Sequence, residues 1–177
     1  MPEPPAPKVQ RGTAFHAWLA ERFGQMRLID AEELAEVFDS AEVAGDEAEL
    51  AELKARFDAG EWGQRWPADV EVPFETRISD RLVRGRIDAI FDDAPDGAID
   101  VVDWKTGRGP APGSRAERAV AVQLAAYRLA WSALAGVPLD RVRAAFYYVR
   151  DDRTVRPADL LDAAGLAALI ESLSPVS

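Results

Sequence analysis

Residues 99–107 read IDVVDWKTG, an apolar run that ends in two opposite charges and a glycine. Such a run is typical of a buried strand followed by a turn. Because successive strand side chains point to opposite faces, Asp103 and Lys105 should project from the same face at its end. The two charges can form a structural ion pair, or they can be a metal ligand and its chemical partner. The short pattern alone leaves both interpretations open.

Two alternating segments precede this strand, and DDAPDG at residues 92–97 is a turn signal between the second segment and the strand. These segments predict an antiparallel meander of three strands. A helix closed by Gly136 and Pro138 follows, and then one more strand and a last helix. The order predicts an α/β fold, with a mixed central β-sheet of four to five strands flanked by helices. The predicted strands are 70–78, 82–91, 99–104 and 142–149, and the predicted helices are 12–23, 31–43, 46–57, 117–135 and 158–173.

The length of 177 residues suits one domain, which we expect at residues 12–177. Residues 1–11 contain PEPPAP and are predicted to be a flexible, proline-rich linker, as found between domains of a longer chain. No apolar run reaches the roughly 18 residues of a membrane span, and no secretory signal begins the chain. The absence of cysteine excludes thiolate metal sites and is consistent with a cytoplasmic location, which we expect.

The formal net charge of −10 argues at first against a nucleic-acid partner. The charge is unevenly distributed, however. Residues 17–61 hold thirteen acidic and four basic residues, whereas residues 76–118 hold eight of each. The acidic excess therefore belongs mainly to the helical region, and the strand region stays compatible with binding a polyanion.

A second acidic residue completes a candidate site. In RGRIDAIF, residues 84–91, alternation places Asp88 on one strand face with Arg84 and Arg86. If the strands pair in the expected register, Asp88 and Asp103 lie on neighbouring strands a few ångströms apart. Two carboxylates at that distance repel unless a cation intervenes, and a hard divalent ion such as Mg²⁺ prefers oxygen ligands. With Lys105 in the same pocket, the group suits phosphodiester hydrolysis.

Five short signatures occur in order along most of the chain, and together they resemble the RecB-type nuclease domain of the PD-(D/E)XK superfamily. This domain is the C-terminal module of helicase-nucleases. The resemblance implies a restriction-endonuclease-like fold and a DNA nuclease of repair and recombination that depends on Mg²⁺ or Mn²⁺. It also implies DNA, single-stranded by preference, and a helicase motor domain or subunit as partners. The signatures are GTAFHAWL, VPFET, GRIDAIF, VVDWKTG and QLAAYRLA.

Carried over by position, the resemblance implies metal ligands at His16, Asp88, Asp103 and the backbone carbonyl of Trp104. It implies a catalytic lysine at Lys105, a polar site residue at Glu75, and a supporting pair at Gln123 and Tyr127. Two positions depart from the family pattern, because Ile87 replaces proline and Trp104 replaces the more usual tyrosine. Neither change removes a functional group.

The individual residues qualify this assignment. Glu71 competes with Glu75 for the same role, and a solvated glutamate is as good an interpretation of either residue. Gln123 falls on the apolar arc of its helix, so its amide needs a polar partner, for which the metal site or a nucleic-acid backbone would serve. Phosphate contacts are predicted for four arginines: Arg84, Arg86, Arg108 and Arg115.

Three other functions can be set against this interpretation. A cysteine-bearing iron–sulfur relative of the same superfamily is excluded, because the sequence has no cysteine to hold a cluster. A non-catalytic nucleic-acid-binding or scaffolding module of the same fold should have lost one of Asp88, Asp103 or Lys105, and all three are present. An enzyme acting on a small anionic substrate would be favoured by a Gly-rich phosphate loop, and the sequence has none. The sequence also lacks a GxxxxGK[ST] pattern, so any ATP-driven motor would be another domain or protein.

Overall fold

The strands form one mixed, five-stranded sheet whose order follows the sequence, β1-β2-β3-β4-β5. The computed structural model describes residues 7–23, 44–78, 81–157 and 161–173. The strands are β1 (Asp69–Ile78), β2 (Arg81–Phe91), β3 (Ile99–Lys105), β4 (Val142–Tyr148) and β5 (Arg153–Val155). The helices are α1 (Pro7–Arg22), α2 (Ala44–Ala59), α3 (Arg115–Ala135) and α4 (Ala163–Leu173). The predicted α/β class, with a mixed sheet flanked by helices, is confirmed.

Most predicted boundaries lie within two residues of the observed ones, and the exceptions are at the ends of the chain. Helix α1 begins at Pro7, inside the segment predicted to be a linker, and helix α4 begins at Ala163 rather than at residue 158. The three-residue strand β5 was not predicted. The helix predicted at residues 31–43 lies outside the described residues, and the separate linker at residues 1–11 stays a prediction.

The contacts of the chain divide it into two compact units. The first contains residues 1–66, 104–108 and 148–153, and the second contains residues 67–103, 109–147 and 154–177. In the first unit, Phe15, Phe57 and Trp62 are fully buried. The second unit holds most of the sheet and a core in which Ile78 of β1 packs with Ala125 of α3 and Leu166 of α4.

Strands β1 and β2 form a long antiparallel hairpin in which Val70 pairs with Ala89 and Val72 with Ile87. Strand β3 adds to the other side of β2, also antiparallel. This meander agrees with the predicted one, because the alternating apolar residues and the turn at residues 92–97 specify both strands and their reversal.

Helix α3 is held at both ends by its own sequence. The Ser114 hydroxyl accepts a hydrogen bond from the backbone N–H of Glu117 at 3.1 Å, and the Glu117 carboxylate accepts one from the backbone N–H of Gly113. At the other end, Gly136 takes the left-handed conformation, with φ of 66°. These caps satisfy backbone groups that a helix otherwise leaves unpaired, and they fix where α3 begins and ends.

Candidate active site

Two buried aspartates lie next to each other in the register of β2 and β3. The paired segment of these strands ends at Ala89 and Val102, and Asp88 and Asp103 are the next residue on each strand. Asp88 is 8% exposed and Asp103 is 5% exposed. Acidic side chains are seldom buried to this degree without a specific role or partner. The sequence-based expectation that these residues lie on neighbouring strands agrees with this arrangement.

Helix α3 brings a tyrosine and a glutamine to this position. Tyr127 hydrogen-bonds to the Asp103 carboxylate, and Gln123 Nε2 donates to Tyr127 Oη at 2.7 Å. Gln123 and Tyr127 are four residues apart, one helical turn, so they share a face of α3. The ring of Tyr127 also meets the ring of Phe74 edge-on, with centroids 5.5 Å apart. Within the described residues, the partner of Gln123 Nε2 is therefore Tyr127.

The electrostatic surroundings keep Tyr127 protonated. Burial is the largest effect that raises the pKa of its hydroxyl, and the negative charge of Asp103 is the next. The charge of Asp88 acts in the same direction, while the hydrogen bond from Gln123 opposes them. Because the phenol holds its proton, Tyr127 is the donor in its hydrogen bond with the Asp103 carboxylate.

Glu71 is a third acid at this position, and the sequence had suggested it only as a competitor of Glu75. One of its carboxylate oxygens lies within 4.8 Å of a carboxylate oxygen of Asp88. Glu71 also forms an ion pair with Arg86, where Nη1 lies 2.9 Å from Oε2. Glu71 also has a φ of 52°, a left-handed conformation that is uncommon for residues other than glycine. Strained backbone of this kind costs on the order of 1–3 kcal/mol and is concentrated at functional sites.

Glu75 is placed differently. It is exposed and forms an ion pair with Arg84, which is also exposed. An exposed pair of this kind contributes little to stability. The role that the resemblance implied for Glu75 stays a prediction, and Glu71 is the glutamate that the structure brings to Asp88. No sequence motif identifies Glu71, because its backbone conformation and its proximity to Asp88 are seen only in the three-dimensional structure.

The four arginines predicted to contact phosphates fall into two pairs. Arg84 and Arg86 are on β2 and pair with glutamates of β1. Arg108 follows β3, and Arg115 begins α3; both are exposed. Within the described part of the chain, Arg108 and Arg115 make no hydrogen bond or ion pair. Their guanidinium groups can therefore meet an incoming anion without breaking an existing contact there.

The remaining predicted site residues belong to the other compact unit. His16 is on α1 and is partly buried, with its ring edge-on to Phe15 at 6.3 Å between centroids. Trp104 is buried and meets Phe57 edge-on at 5.0 Å, so its side chain is a core residue of that unit. Lys105 is the last residue of β3 and is partly buried. The roles implied for His16, the Trp104 carbonyl and Lys105 stay predictions.

The donors in the second unit suit a hard divalent cation. Asp88 and Glu71 offer carboxylate oxygens within 4.8 Å of each other, and the Asp103 carboxylate is close enough to Tyr127 to hydrogen-bond with it. Mg²⁺ and Mn²⁺ prefer oxygen ligands of this type. Carboxylates in such proximity also favour a bound cation, because it offsets their mutual repulsion. The residues present therefore fit the ion that the sequence predicts.

Comparison with known protein families gives a match that covers nearly the whole chain. A family model described as the PD-(D/E)XK nuclease superfamily matches residues 1–174. No match was found among curated proteins. Within the described residues, no helix is both long enough and apolar enough to cross a membrane.

One of the solved structures that match this chain resembles it in fold. A candidate exonuclease from Eubacterium rectale superposes with a TM-score of 0.63 at 10% identity, covering 97% of this chain and 65% of the other. The chain thus spans slightly less than two thirds of that protein's length. The protein SSO0001 matches with a TM-score of 0.38 at 18% identity, over 93% of this chain and 70% of the other. Because the family model matches nearly its whole length, the chain belongs to the PD-(D/E)XK nuclease superfamily.

Proposed function

We propose that this chain is a deoxyribonuclease that hydrolyses phosphodiester bonds with the help of Mg²⁺ or Mn²⁺. The observation that carries the proposal is the gathering of buried acids, Asp88 and Asp103 with Glu71 beside Asp88, against the Tyr127–Gln123 pair of α3. This arrangement fits the family to which the chain belongs.

In this proposal the acids hold the ion. Asp88 and Asp103 are its protein ligands, Glu71 adds a carboxylate beside Asp88, and His16 and the Trp104 carbonyl complete the set by resemblance. The bound ion supplies Lewis-acid polarisation of the phosphate and lowers the pKa of a coordinated water. The protein's own share is to orient these carboxylates, which Tyr127 does for Asp103 through its hydrogen bond.

Hydrolysis adds water to phosphorus and breaks a P–O bond, so one proton leaves the attacking water and one reaches the leaving oxygen. Lys105 is proposed to orient the attacking water and to oppose the charge that develops on the phosphate oxygens. Arg108 and Arg115 are proposed to position the phosphate backbone, because both are exposed and charged.

The resemblance also suggests a cellular setting. We propose single-stranded DNA as the preferred substrate and a helicase motor, in the same protein or in a partner subunit, as the source of that strand. Repair or recombination in the cytoplasm is the corresponding role. The net charge of −10 predicts weak binding of DNA without such a motor.

The decisive experiment incubates the chain with end-labelled single-stranded DNA and either Mg²⁺ or Mn²⁺, with a chelator as the blank. We expect degradation by the parent with a divalent ion, and near-complete loss of it for Asp103→Ala. The matched control is Asp92→Ala, an exposed aspartate of the 92–97 turn, which should retain activity. If the parent cleaves no DNA with either ion, the non-catalytic binding module becomes the better interpretation.

A further inference from the structure

A cleft of about 290 Å³ in the second unit includes Tyr127 in its lining. Its walls come from the β1–β2 hairpin and from helices α3 and α4. Most of its lining is apolar, and two of its residues, Phe74 and Tyr127, are aromatic. The apolar lining includes Phe74, Ile78, Val83, Val122, Ala126 and Leu166.

The cleft and the acidic site share two residues. Gln123 and Tyr127 line the cleft, and Tyr127 also hydrogen-bonds to Asp103. A molecule that fills the cleft therefore contacts Tyr127, whose hydroxyl interacts with Asp103. Gln123 uses Nε2 to donate to Tyr127, and no donor among the described residues reaches its Oε1. The amide thus has hydrogen-bonding capacity left at the polar end of an apolar cleft.

The rim of the cleft carries a positive charge. Arg84 lines it, and its side chain is 72% exposed even though it pairs with Glu75. An exposed ion pair is weak, so a phosphate can compete for this guanidinium at little cost. The cleft therefore combines an apolar lining, the polar amide of Gln123 and the cationic side chain of Arg84.

We propose that this cleft receives one base of the single-stranded nucleic acid whose phosphate lies at the acids, a proposal that rests on the proposed nuclease function. A base has apolar faces, a hydrogen-bonding edge and an attached phosphate, and these match the three parts of the cleft in turn. The volume lies at the lower end of ligand pockets, which span about 300–1,000 Å³, and suits a single ring system. Aromatic side chains commonly hold the bases of single strands in this way.

Ala119 gives a way to close the cleft without disturbing the core. It lines the cleft but is exposed on α3, so the protein can fold with a larger side chain at this position. Ala116, on the same helix, is also exposed and does not line the cleft. Ala119→Trp is therefore the blocking variant, and Ala116→Trp is its matched control.

The experiment measures binding rather than cleavage. Two labelled strands of equal length, one with bases and one abasic throughout, are titrated with each protein in Ca²⁺ by fluorescence anisotropy, and strand length is checked afterwards on a gel. We expect the parent and Ala116→Trp to bind the strand with bases about tenfold more tightly than the abasic strand. Ala119→Trp should bind both strands about equally, at the abasic level.

Two results would overturn the proposal: equal binding of both strands by the parent, or equal discrimination by the two tryptophan variants. A dimer of the parent in light scattering, lost only in Ala119→Trp, would assign the cleft to a second copy of the chain and also overturn it. The nuclease function is judged separately, by cleavage in Mg²⁺ or Mn²⁺. Cleavage without discrimination between the two strands would contradict only the proposed base site. Discrimination without cleavage would contradict only the proposed nuclease function.

Discussion

Strand β3 carries two buried aspartates three residues apart, and their surroundings differ. Asp100 forms a two-pronged ion pair with Arg143 of β4, with Nε–Oδ1 at 2.9 Å and Nη2–Oδ2 at 3.1 Å. Asp103 accepts a hydrogen bond from Tyr127, and the charges of Asp103 and Asp88 both raise the pKa of that tyrosine. The comparison teaches that burial of an acid does not by itself identify a site. An acid matched by an arginine contributes to stability, whereas acids gathered with other acids favour a cation from outside the chain.

The largest expected effect is on activity, and it comes from Asp103. Asp103→Asn keeps the volume of the side chain but removes its charge, so we expect the rate of DNA cleavage to fall at least about a thousandfold. Because the change also reduces repulsion among the acids, the free energy of unfolding in chelator should stay equal or rise. The measurements are single-turnover cleavage and urea unfolding. A variant that cleaves normally, or one that loses activity only because it unfolds, would remove the distinction between Asp103 and Asp100.

Lys105 should give the next largest effect. Lys105→Ala removes the ammonium proposed to act on the water and on the phosphate, and we expect the cleavage rate to fall about a hundredfold. Binding of Mn²⁺, measured by calorimetry, should persist, because the proposed role of Lys105 is separate from metal binding. Loss of Mn²⁺ binding in this variant would show that the role is misassigned.

Asp100 should show the opposite pattern from Asp103. Asp100→Asn leaves Arg143 with a weaker partner, and we expect the free energy of unfolding to fall by about 2 kcal/mol. The value lies below that for a fully buried pair because the Arg143 side chain is 41% exposed. Urea unfolding measures the change, and cleavage per folded molecule should stay at the parent level. A drop in cleavage without a drop in stability would show that Asp100 belongs to the active site.

The sequence predicted the meander well because its signals are local. Alternating apolar residues and the DDAPDG turn specify β1, β2 and β3 within one residue at each end. Strand β5 escaped prediction because three residues are too few to show an alternation. Helical spacing puts Leu134 on the same apolar arc of α3 as Gln123, yet Leu134 is exposed. In both cases the observed structure depends on which distant residues of the chain pack against the segment.

The site shows the same division between local and distant information. Asp88 and Asp103 could be singled out because strand alternation aligns them, and the family resemblance added Gln123 and Tyr127. Glu71 could not be chosen over Glu75, since both precede the same turn and both are glutamates on β1. The choice depends on the left-handed backbone conformation of Glu71 and on its proximity to Asp88. Neither feature can be recognised from the amino-acid sequence.

A smaller effect is expected from the hydrogen bond that Tyr127 donates to Asp103. Tyr127→Phe keeps the ring against Phe74 and removes the hydroxyl, so Asp103 loses a donor and Gln123 loses an acceptor. We expect kcat to fall about tenfold with little change in KM, because hydrogen bonds to charged groups contribute about 1.5–3 kcal/mol. Tyr148→Phe, on β4, is the control for loss of a tyrosine hydroxyl. An unchanged kcat for Tyr127→Phe would mean that the orientation of Asp103 is fixed by other contacts.

The smallest effect concerns Asp96, the exposed second partner of Arg143. A hydrogen bond from the backbone N–H of Ala98, followed by the charge of Arg143, holds the pKa of Asp96 below its ordinary value of 3.8. A carboxylate with a lowered pKa in the folded state contributes stability above the pKa of the unfolded state, and it loses that contribution as the pH falls through the folded value. Asp96→Asn should therefore lower the melting temperature slightly at pH 7, and the difference from the parent should shrink as the pH falls below 3.8. Thermal unfolding from pH 7 to pH 3, with Asp92→Asn as the control, measures this. A difference that is constant with pH would mean that Arg143 serves Asp100 alone, and that Asp96 acts only through the shape of the turn.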